Sequence, residues 1–303
     1  MARIACTTWD GGGNLVVFRA LAERLRGRGH DVELRVSFSD PPLLDGDVLL
    51  VDHMASLDGL QAVLATGKPA ATVVHTMWSF VPRLEGTFAP AGYLDVLAGF
   101  ERNLVYSIRQ LDPVDAPPNV RWVGPVVEPE GPDAGWAPPS RSLVVVSMGS
   151  HDLGDVPVLQ RILDAVEPLP VDVMVTARAD LDPSVLRVPA NVAISGYVRH
   201  AALLPHADLF VGHGGHGGIM AALTFGVPMV LLPLDRDQPH NAQKAAAAGA
   251  AQALDKEAPV DVVRTAIESV RTGTRERSRA IELANAIAAY GDAAVTEVEA
   301  LLA

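Results

Sequence analysis

The sequence predicts an α/β protein made of two doubly wound halves, each a parallel sheet with helices on both faces. Short apolar runs alternate with helical patterns through most of the 303 residues, and this alternation is typical of parallel sheets. A proline-rich stretch, Pro125–Pro139, interrupts the alternation near mid-chain. A glycine-rich turn, Gly212–Gly218, lies between a strand pattern and a helical pattern.

The first half begins with an apolar run, Arg3–Thr8, which predicts a buried strand. The spacing of apolar residues over Asn14–Arg28 then predicts a helix. Three further short apolar runs predict strands: Val32–Val36, Asp47–Val51 and Ala70–His75. Helical stretches between these strands complete the pattern of a parallel sheet.

The second half repeats the alternation after the proline-rich stretch, because proline disfavours both helices and central strands. Its predicted strands are Leu143–Ser147, Asp172–Thr176, Val192–Ser195, Asp208–Val211 and Pro228–Leu232. We therefore expect a first domain over residues 1–125, a linker over 126–140 and a second domain over 141–303. The last helix of the tail could pack back on the first domain.

Composition restricts the class of protein further. The 49% hydrophobic content supports a well-filled core, and the single Cys6 excludes an internal disulfide. The net charge of −12 argues against a nucleic-acid partner. We find neither a signal peptide nor an apolar run long enough to span a membrane, so we expect a cytoplasmic protein.

An ordered set of motifs fills the stretch Asn191–Ala251. It contains Leu-Leu-Pro-His-x-Asp, His-Gly-Gly-x-Gly, Ala-Leu-x-x-Gly-Val-Pro, Leu-Pro, Asp-Gln and Asn-Ala. This set resembles the donor-binding signature of the inverting, nucleotide-sugar-dependent glycosyltransferases that act on small molecules. The resemblance implies the GT-B fold, in which two Rossmann-like domains face each other across a cleft. It also implies a UDP- or TDP-sugar donor, a hydrophobic acceptor and neither a cofactor nor a metal.

The glycine-rich turn is the predicted phosphate site, because bare backbone N–H groups and a helix N-terminus favour an anion. His213 would hydrogen-bond the donor diphosphate. Four glycines would keep the turn open: Gly214, Gly215, Gly217 and Gly218. The family carries a threonine or serine where this chain has Gly218, so one phosphate contact is missing or replaced.

The resemblance assigns the rest of the donor site residue by residue. Asp237 and Gln238 would contact sugar hydroxyls, and Asn241 would support their loop or the phosphate. The other predicted donor residues are Ser147, Gly149 and Ser150 near the diphosphate, and Tyr197 and Val198 at the nucleobase. The triplet Asp235-Arg236-Asp237 is not expected to hold a metal, because it belongs to the Asp-Gln element.

The base that activates the acceptor is the open question of the sequence. The family places a histidine in the first strand–helix turn, but here that position is Asn14, whose amide cannot take a proton at neutral pH. The candidates that remain are, in order, Asp52, Asp10, His75 and His53. An acidic phenol or an activated aromatic carbon would need little help from a base.

Large apolar residues after Ala70–His75 either line the acceptor pocket or form an ordinary interdomain core: Met77, Trp78, Phe80, Val81 and Phe88. The first half is shorter than is usual in the family. The acceptor site is then open, completed by a homodimer or a partner subunit, or lost. We expect an inverting glycosyltransferase that forms O- or C-glycosides. The alternatives are a non-catalytic nucleotide-sugar-binding partner protein and, as a third, a nucleotide-sugar epimerase.

Overall fold

In the computed structural model the chain divides into two units, and residues 1–11, 13–37, 41–126, 141–149, 154–196 and 198–303 are described. Unit 1 comprises Met1–Val127 and Ala289–Ala303, and unit 2 comprises Glu128–Ala288. Within the described ranges no helix combines the length and the apolar character that crossing a membrane requires.

Unit 1 is built on a six-stranded sheet in which every neighbouring pair is parallel. Its strands are β1 (Arg3–Thr8), β2 (Asp31–Val36), β3 (Val48–Asp52), β4 (Ala70–Val74), β5 (Arg102–Val105) and β6 (Val120–Trp122). They lie in the order β2-β1-β3-β4-β5-β6. The chain therefore reverses its direction of travel between β1 and β3, where the carboxyl ends of the two strands leave a crevice.

The helices of unit 1 are α1 (Gly13–Gly27), α2 (Leu57–Ala65), α3 (Tyr93–Ala98) and α10 (Ala293–Glu299). Phe18, Leu21 and Leu25 bury one face of α1 against the sheet. Burial raises the pKa of Cys6 on β1 to about 12, so its thiol stays protonated and acts as a small apolar group.

Helix α10 has its contacts in unit 1, although it comes last in the chain. Val295 and Val298 join the core of unit 1. Glu297 forms ion pairs with Arg102 at 3.1 Å and with Arg121 at 3.6 Å. The sequence assigns residues 289–303 to the second domain with the option of packing back, and in the structure they belong to the first unit.

Unit 2 repeats the architecture with a second parallel sheet of six strands, in the order β12-β11-β10-β7-β8-β9. The strands are β7 (Leu143–Ser147), β8 (Asp172–Thr176), β9 (Val192–Ser195), β10 (Leu209–Gly212), β11 (Met229–Leu231) and β12 (Ala251–Ala253). The helices are α4 (Val156–Val166), α5 (His200–Leu203), α6 (His216–Thr224), α7 (Gln238–Ala247), α8 (Val260–Thr272) and α9 (Arg275–Ala288). The chain reverses between β7 and β10, which pair directly.

The predicted class, two Rossmann-like halves with parallel sheets, is confirmed. Every strand predicted from the sequence is present to within one or two residues at its ends. Three short strands, β5, β6 and β12, were not predicted. They lie at or beside the edges of the sheets, and each contains only three or four residues. The predicted linker lies outside the described residues except for Val126.

Candidate functional site

The reversal point of unit 2 brings two segments of the chain together. Strand β7 ends at Ser147 and β10 ends at Gly212, and these two residues are paired across the sheet. The turns that follow, beginning at Met148 and at His213, therefore leave the sheet side by side. This edge is where open α/β sheets bind ligands.

His213 is fixed in that crevice by the backbone of the neighbouring strand. Its Nδ1 lies 3.3 Å from the carbonyl oxygen of Ser147, and because a carbonyl can only accept, Nδ1 carries the hydrogen. Gly149 has φ of +95°, and a Cβ there would lie 3.0 Å from the His213 ring. A Cβ on Gly215 would overlap Nε2 of the same ring. Both glycines are therefore needed to seat the imidazole.

The protonation of His213 follows from this seat. Burial lowers the pKa of His213, and the hydrogen bond to Ser147 only partly offsets that effect. The neutral ring carries its hydrogen on Nδ1, so Nε2 holds a lone pair. Nε2 can donate to a phosphate oxygen only after the ring takes up a proton, which a bound anion would favour.

Helix α6 begins immediately after His213, with Gly215 as its N-cap. The first N–H groups of an α-helix have no acceptor within the helix, and they carry the positive end of its dipole. Gly217 is exposed, and a Cβ there would meet nothing within 4 Å. His216, the first residue of α6, is 7% exposed.

Gly218 replaces the hydroxyl residue of the family, and the structure shows what fills that space. A Cβ on Gly218 would lie 3.1 Å from Cζ of Phe210, whose ring is buried. A Cβ on Gly212 would also come close to this ring. The aromatic ring thus takes up room beside the turn that a larger residue at 218 would need.

The loop before α7 is held by its own side chains. Oε1 of Gln238 accepts hydrogen bonds from the N–H groups of Leu234 (2.9 Å) and Asp235 (3.2 Å). Nδ2 of the buried Asn241 donates to Oδ2 of Asp237 at 2.8 Å. Asn241 therefore supports the loop. Arg236 has φ of +60°, a strained value for a residue with a side chain.

The remaining predicted donor residues are only partly described. Ser147 and Gly149 lie against His213, as given above, and Gly214 packs with φ of +81° over the carbonyl of Gln238. Val198 is partly buried. Ser150 and Tyr197 lie outside the described residues. The donor roles of all these residues stay predictions.

The reversal point of unit 1 is occupied by a buried carboxylate. Asp52 at the end of β3 is 1% exposed, and both of its oxygens are hydrogen-bonded. Oδ2 accepts from Oγ1 of Thr8 (2.8 Å) and Nδ2 of Asn14 (2.9 Å). Oδ1 accepts from N–H of Met54 (2.9 Å) and Nε2 of His75 (3.1 Å).

Electrostatics keep this carboxylate ionised. Burial alone would raise the pKa of Asp52, but the charge and hydrogen bond of His75, helped by His53 and Asn14, bring it below its ordinary range. An ionised carboxylate offers about four acceptor positions, and all four are used here. Asp52 therefore acts as a fixed negative charge.

Two histidines stand beside Asp52. The rings of His53 and His75 have centroids 4.6 Å apart. The hydroxyl of Tyr93 donates to the carbonyl of His53 at 3.1 Å and lies 3.0 Å from Nδ1 of His53, so that nitrogen donates to the hydroxyl. His53 is 1% exposed, whereas the side chain of His75 is 20% exposed.

Two more residues of the predicted catalytic set, Asn14 and Asp10, lie at the start of α1 and in the turn after β1. Asn14 is 2% exposed, and its Nδ2 also lies within hydrogen-bond distance of Trp9 O and Thr8 Oγ1. Asn14 is thus a donor that positions Asp52. Asp10 is exposed. Sequence reasoning missed Thr8 and Tyr93, which hold Asp52 and His53 from positions distant in the chain.

A metal ion is a separate possibility for this group. Asp52, His53 and His75 each offer one ligand atom, and these atoms all lie within 4.8 Å of one another. Among the described residues this is the one such group of three or more side chains. Within this group, Nε2 of His75 donates a hydrogen bond to Asp52.

A cavity of about 240 Å³ opens beside Asp52 within unit 1. Apolar side chains form most of its wall: Trp9, Pro42, Met54, Leu57, Phe88 and Tyr93. Of the predicted acceptor residues Phe88 lines this cavity, whereas Met77 (0% exposed), Trp78 (6%) and Phe80 (8%) are buried and do not. The acceptor role of the set stays a prediction.

The whole fold is similar to solved glycosyltransferase structures. The glycotransferase of kitacinnamycin superposes with a TM-score of 0.83 at 24% identity, covering 100% of this chain and 99% of that one. The spinosyn rhamnosyltransferase SpnG complexed with thymidine diphosphate gives 0.74 at 20% identity, covering 95% and 96%. Its complex with spinosyn aglycone gives 0.76 at 20% identity, covering 99% and 100%. The two parallel-sheet units therefore have the fold of the GT-B glycosyltransferases.

Sequence comparisons also find a matching family and curated relatives. Residues 160–301 match the family described as erythromycin biosynthesis protein CIII-like, C-terminal domain. The 4'-demethylrebeccamycin synthase of Lentzea aerocolonigenes is 34% identical over 61% of this chain and 45% of its own length. UDP-glycosyltransferase 2 of Phaeomoniella chlamydospora is 32% identical over 56% and 40%. The matched part of the chain thus spans less than half the length of these curated relatives.

Proposed function

We propose that the protein is an inverting glycosyltransferase that moves a sugar from a UDP- or TDP-sugar to a hydrophobic small molecule. One observation carries the proposal: His213, seated by two glycines, lies next to the open N-terminus of α6 at the reversal point of unit 2. The relatives named above are a 4'-demethylrebeccamycin synthase and a UDP-glycosyltransferase, and the structure of SpnG is a complex with thymidine diphosphate.

The corner suits a departing diphosphate because it supplies positive charge without a metal ion. The N–H groups of Gly217 and Gly218 would donate to one phosphate, and protonated His213 to the other, each contact strengthened by the ligand's charge. Stabilising the leaving group lowers the barrier for breaking its bond to the sugar. Metal-independent transfer is part of the proposal.

The cavity beside Asp52 is the proposed acceptor site. Its wall of aromatic and aliphatic side chains favours a flat apolar molecule, and the hydroxyl groups of Thr7 and Thr8 at its edge favour a polar group on that molecule. The SpnG complex with an aglycone supports an acceptor of this kind. A cavity of about 240 Å³ accepts one or two rings, so a larger acceptor would extend beyond it.

The proposal is tested by incubating the protein with UDP- and TDP-sugars and a panel of phenols and polycyclic aromatic alcohols, without added metal. We expect glycoside formation detected by mass spectrometry, and a β-linked product from an α-linked donor by NMR. His213→Ala should reduce transfer, whereas Glu268→Gln on the exposed face of α8 should not. A wild-type protein that binds no nucleotide diphosphate would contradict the proposal.

A non-catalytic nucleotide-sugar-binding protein is the second candidate. Asn14, which cannot accept a proton, occupies the position where the family places its base, and its amide is used in hydrogen bonds. If this candidate is correct, the protein binds TDP or UDP but glycosylates no acceptor in the panel. The same assay therefore separates the two.

A further inference from the structure

The proposed transfer requires a group that takes a proton from the acceptor, and Asn14 cannot do so. We propose that His75, at the end of β4, is this proton acceptor and that Asp52 positions it. The inference rests on the proposed glycosyltransferase function. It places the base two strands away from the turn in which the resemblance would put it.

The other candidates are unsuited by their surroundings. Asp52 is 1% exposed and already accepts four hydrogen bonds, so no lone pair faces a substrate. His53 is equally buried, and its ring donates to Tyr93. Asp10 is exposed and does not line the cavity beside Asp52.

His75 combines exposure with orientation. Its side chain is 20% exposed, and its Nε2 donates to Oδ1 of Asp52 at 3.1 Å. His75 itself is not in the wall of the cavity, but Asp52 is. Whenever the ring is neutral, this hydrogen bond keeps the hydrogen on Nε2, so Nδ1 is the nitrogen that takes up a proton. Asp52 fixes the tautomer and would stabilise the imidazolium once it forms, as the carboxylate does in a catalytic triad.

The step balances in protons and electrons. The acceptor oxygen forms a bond to the anomeric carbon while its proton moves to Nδ1 of His75. The bond from that carbon to the diphosphate breaks, and the diphosphate leaves with the electron pair. The imidazolium then returns its proton to water. Asn14 and Thr8 contribute by holding Oδ2 of Asp52, which leaves Oδ1 for His75.

The test compares two phenols that differ in acidity, 4-nitrophenol and 4-methylphenol, with UDP- or TDP-glucose as donor. Loss of the base should slow transfer to the weakly acidic 4-methylphenol most, because 4-nitrophenol is already partly ionised near neutral pH. We expect His75→Gln to lower kcat for 4-methylphenol by about 10²-fold or more, and for 4-nitrophenol by about fivefold or less. Added imidazole should restore part of the rate of His75→Ala. Calorimetry with TDP checks that each variant retains donor binding.

Each other outcome has a defined meaning. Equal losses of kcat for the two phenols in His75→Gln, with TDP binding intact, would show a structural role and overturn the assignment. A wild-type rate that is lost with a chelator and regained with Zn²⁺ would overturn it in favour of a metal centre. Transfer by the wild type to neither phenol, nor to any acceptor of the panel, would overturn the proposed function and the assignment with it.

Discussion

The two reversal points occupy the same place in two similar sheets, yet they are built from opposite materials. In unit 1 the crevice is filled by titratable side chains, with Asp52 accepting four hydrogen bonds beside two histidines. In unit 2 it is lined by backbone and glycine around one imidazole. In our proposal the same topology therefore serves proton transfer in one half and anion binding in the other.

The two crevices should therefore respond to different kinds of substitution. Side-chain chemistry in unit 1 depends on a complete hydrogen-bond network, so a change at one member is felt by all. Backbone chemistry in unit 2 depends on empty space, so an added methyl group is the most damaging change. Substitutions that exchange charge should act mainly in unit 1, and substitutions that add volume mainly in unit 2.

The largest effect is expected from Asp52→Asn. The new amide presents N–H to groups that themselves donate, so kcat should fall by about 10²-fold or more and the unfolding free energy by about 1–3 kcal/mol. Kinetics with the phenols and urea denaturation measure both quantities. Asp10→Asn, exposed in the nearby turn, is the control and should change stability by less than about 0.5 kcal/mol.

The stabilising effect of Asp52 also has a pH window. The pKa of Asp52 is lowered in the folded protein, so its contribution is present above the unfolded value, near pH 4, and is lost as the pH falls towards the folded value. The difference in unfolding free energy between wild type and Asp52→Asn should stay constant from pH 7 to pH 5 and shrink below about pH 4. A difference that grows on acidification would contradict the ionised state.

Gly215→Ala should weaken TDP or UDP binding by about 10²-fold, because its Cβ would overlap Nε2 of His213. Gly217→Ala is the matched comparison, since a Cβ there meets nothing within 4 Å. That variant should keep or raise the melting temperature, as Ala is favoured over Gly in helices, while still weakening binding. Calorimetry and thermal unfolding separate the two glycines. Unchanged affinity in Gly217→Ala would mean that no phosphate approaches the start of α6.

His213→Ala should weaken diphosphate binding by about tenfold. Because burial lowers the pKa of His213 in the free protein, binding an anion must take up a proton. Wild-type affinity should therefore rise as the pH falls from about 8 to about 6.5, and His213→Ala should lose most of this dependence. Calorimetry in two buffers of different ionisation enthalpy counts the protons. Proton release on binding would contradict the assignment.

The smallest effect is expected at the position that departs from the family. Gly218→Ser alone should not tighten TDP binding, because its Cβ would be 3.1 Å from Phe210 Cζ. In Phe210→Leu the added Gly218→Ser should tighten binding by about threefold to tenfold, through one hydrogen bond to a charged group. Calorimetry on the four variants measures this coupling. If Gly218→Ser changes TDP affinity equally in the wild type and in Phe210→Leu, the Phe210 ring does not occupy the space that a side chain at position 218 needs.

The sequence predicts the donor corner far better than the acid–base network. Glycines are readable because Gly149 and Gly214 need φ near +95° and +81°, which few other residues adopt. The hydrogen bonds of Asp52 join residues 44, 38 and 23 positions away in the chain, and no local pattern relates them. For the same reason His75 could only be ranked third among the bases, since its orientation comes from the pairing of β3 with β4.

The most direct measurement is a structure of the protein crystallised with TDP or UDP. It should show one phosphate on the N–H groups of Gly217 and Gly218, with Nε2 of His213 within about 3.2 Å of a phosphate oxygen. A diphosphate bound elsewhere in unit 2, or His213 turned away from it, would contradict the claim that this glycine corner receives the leaving group.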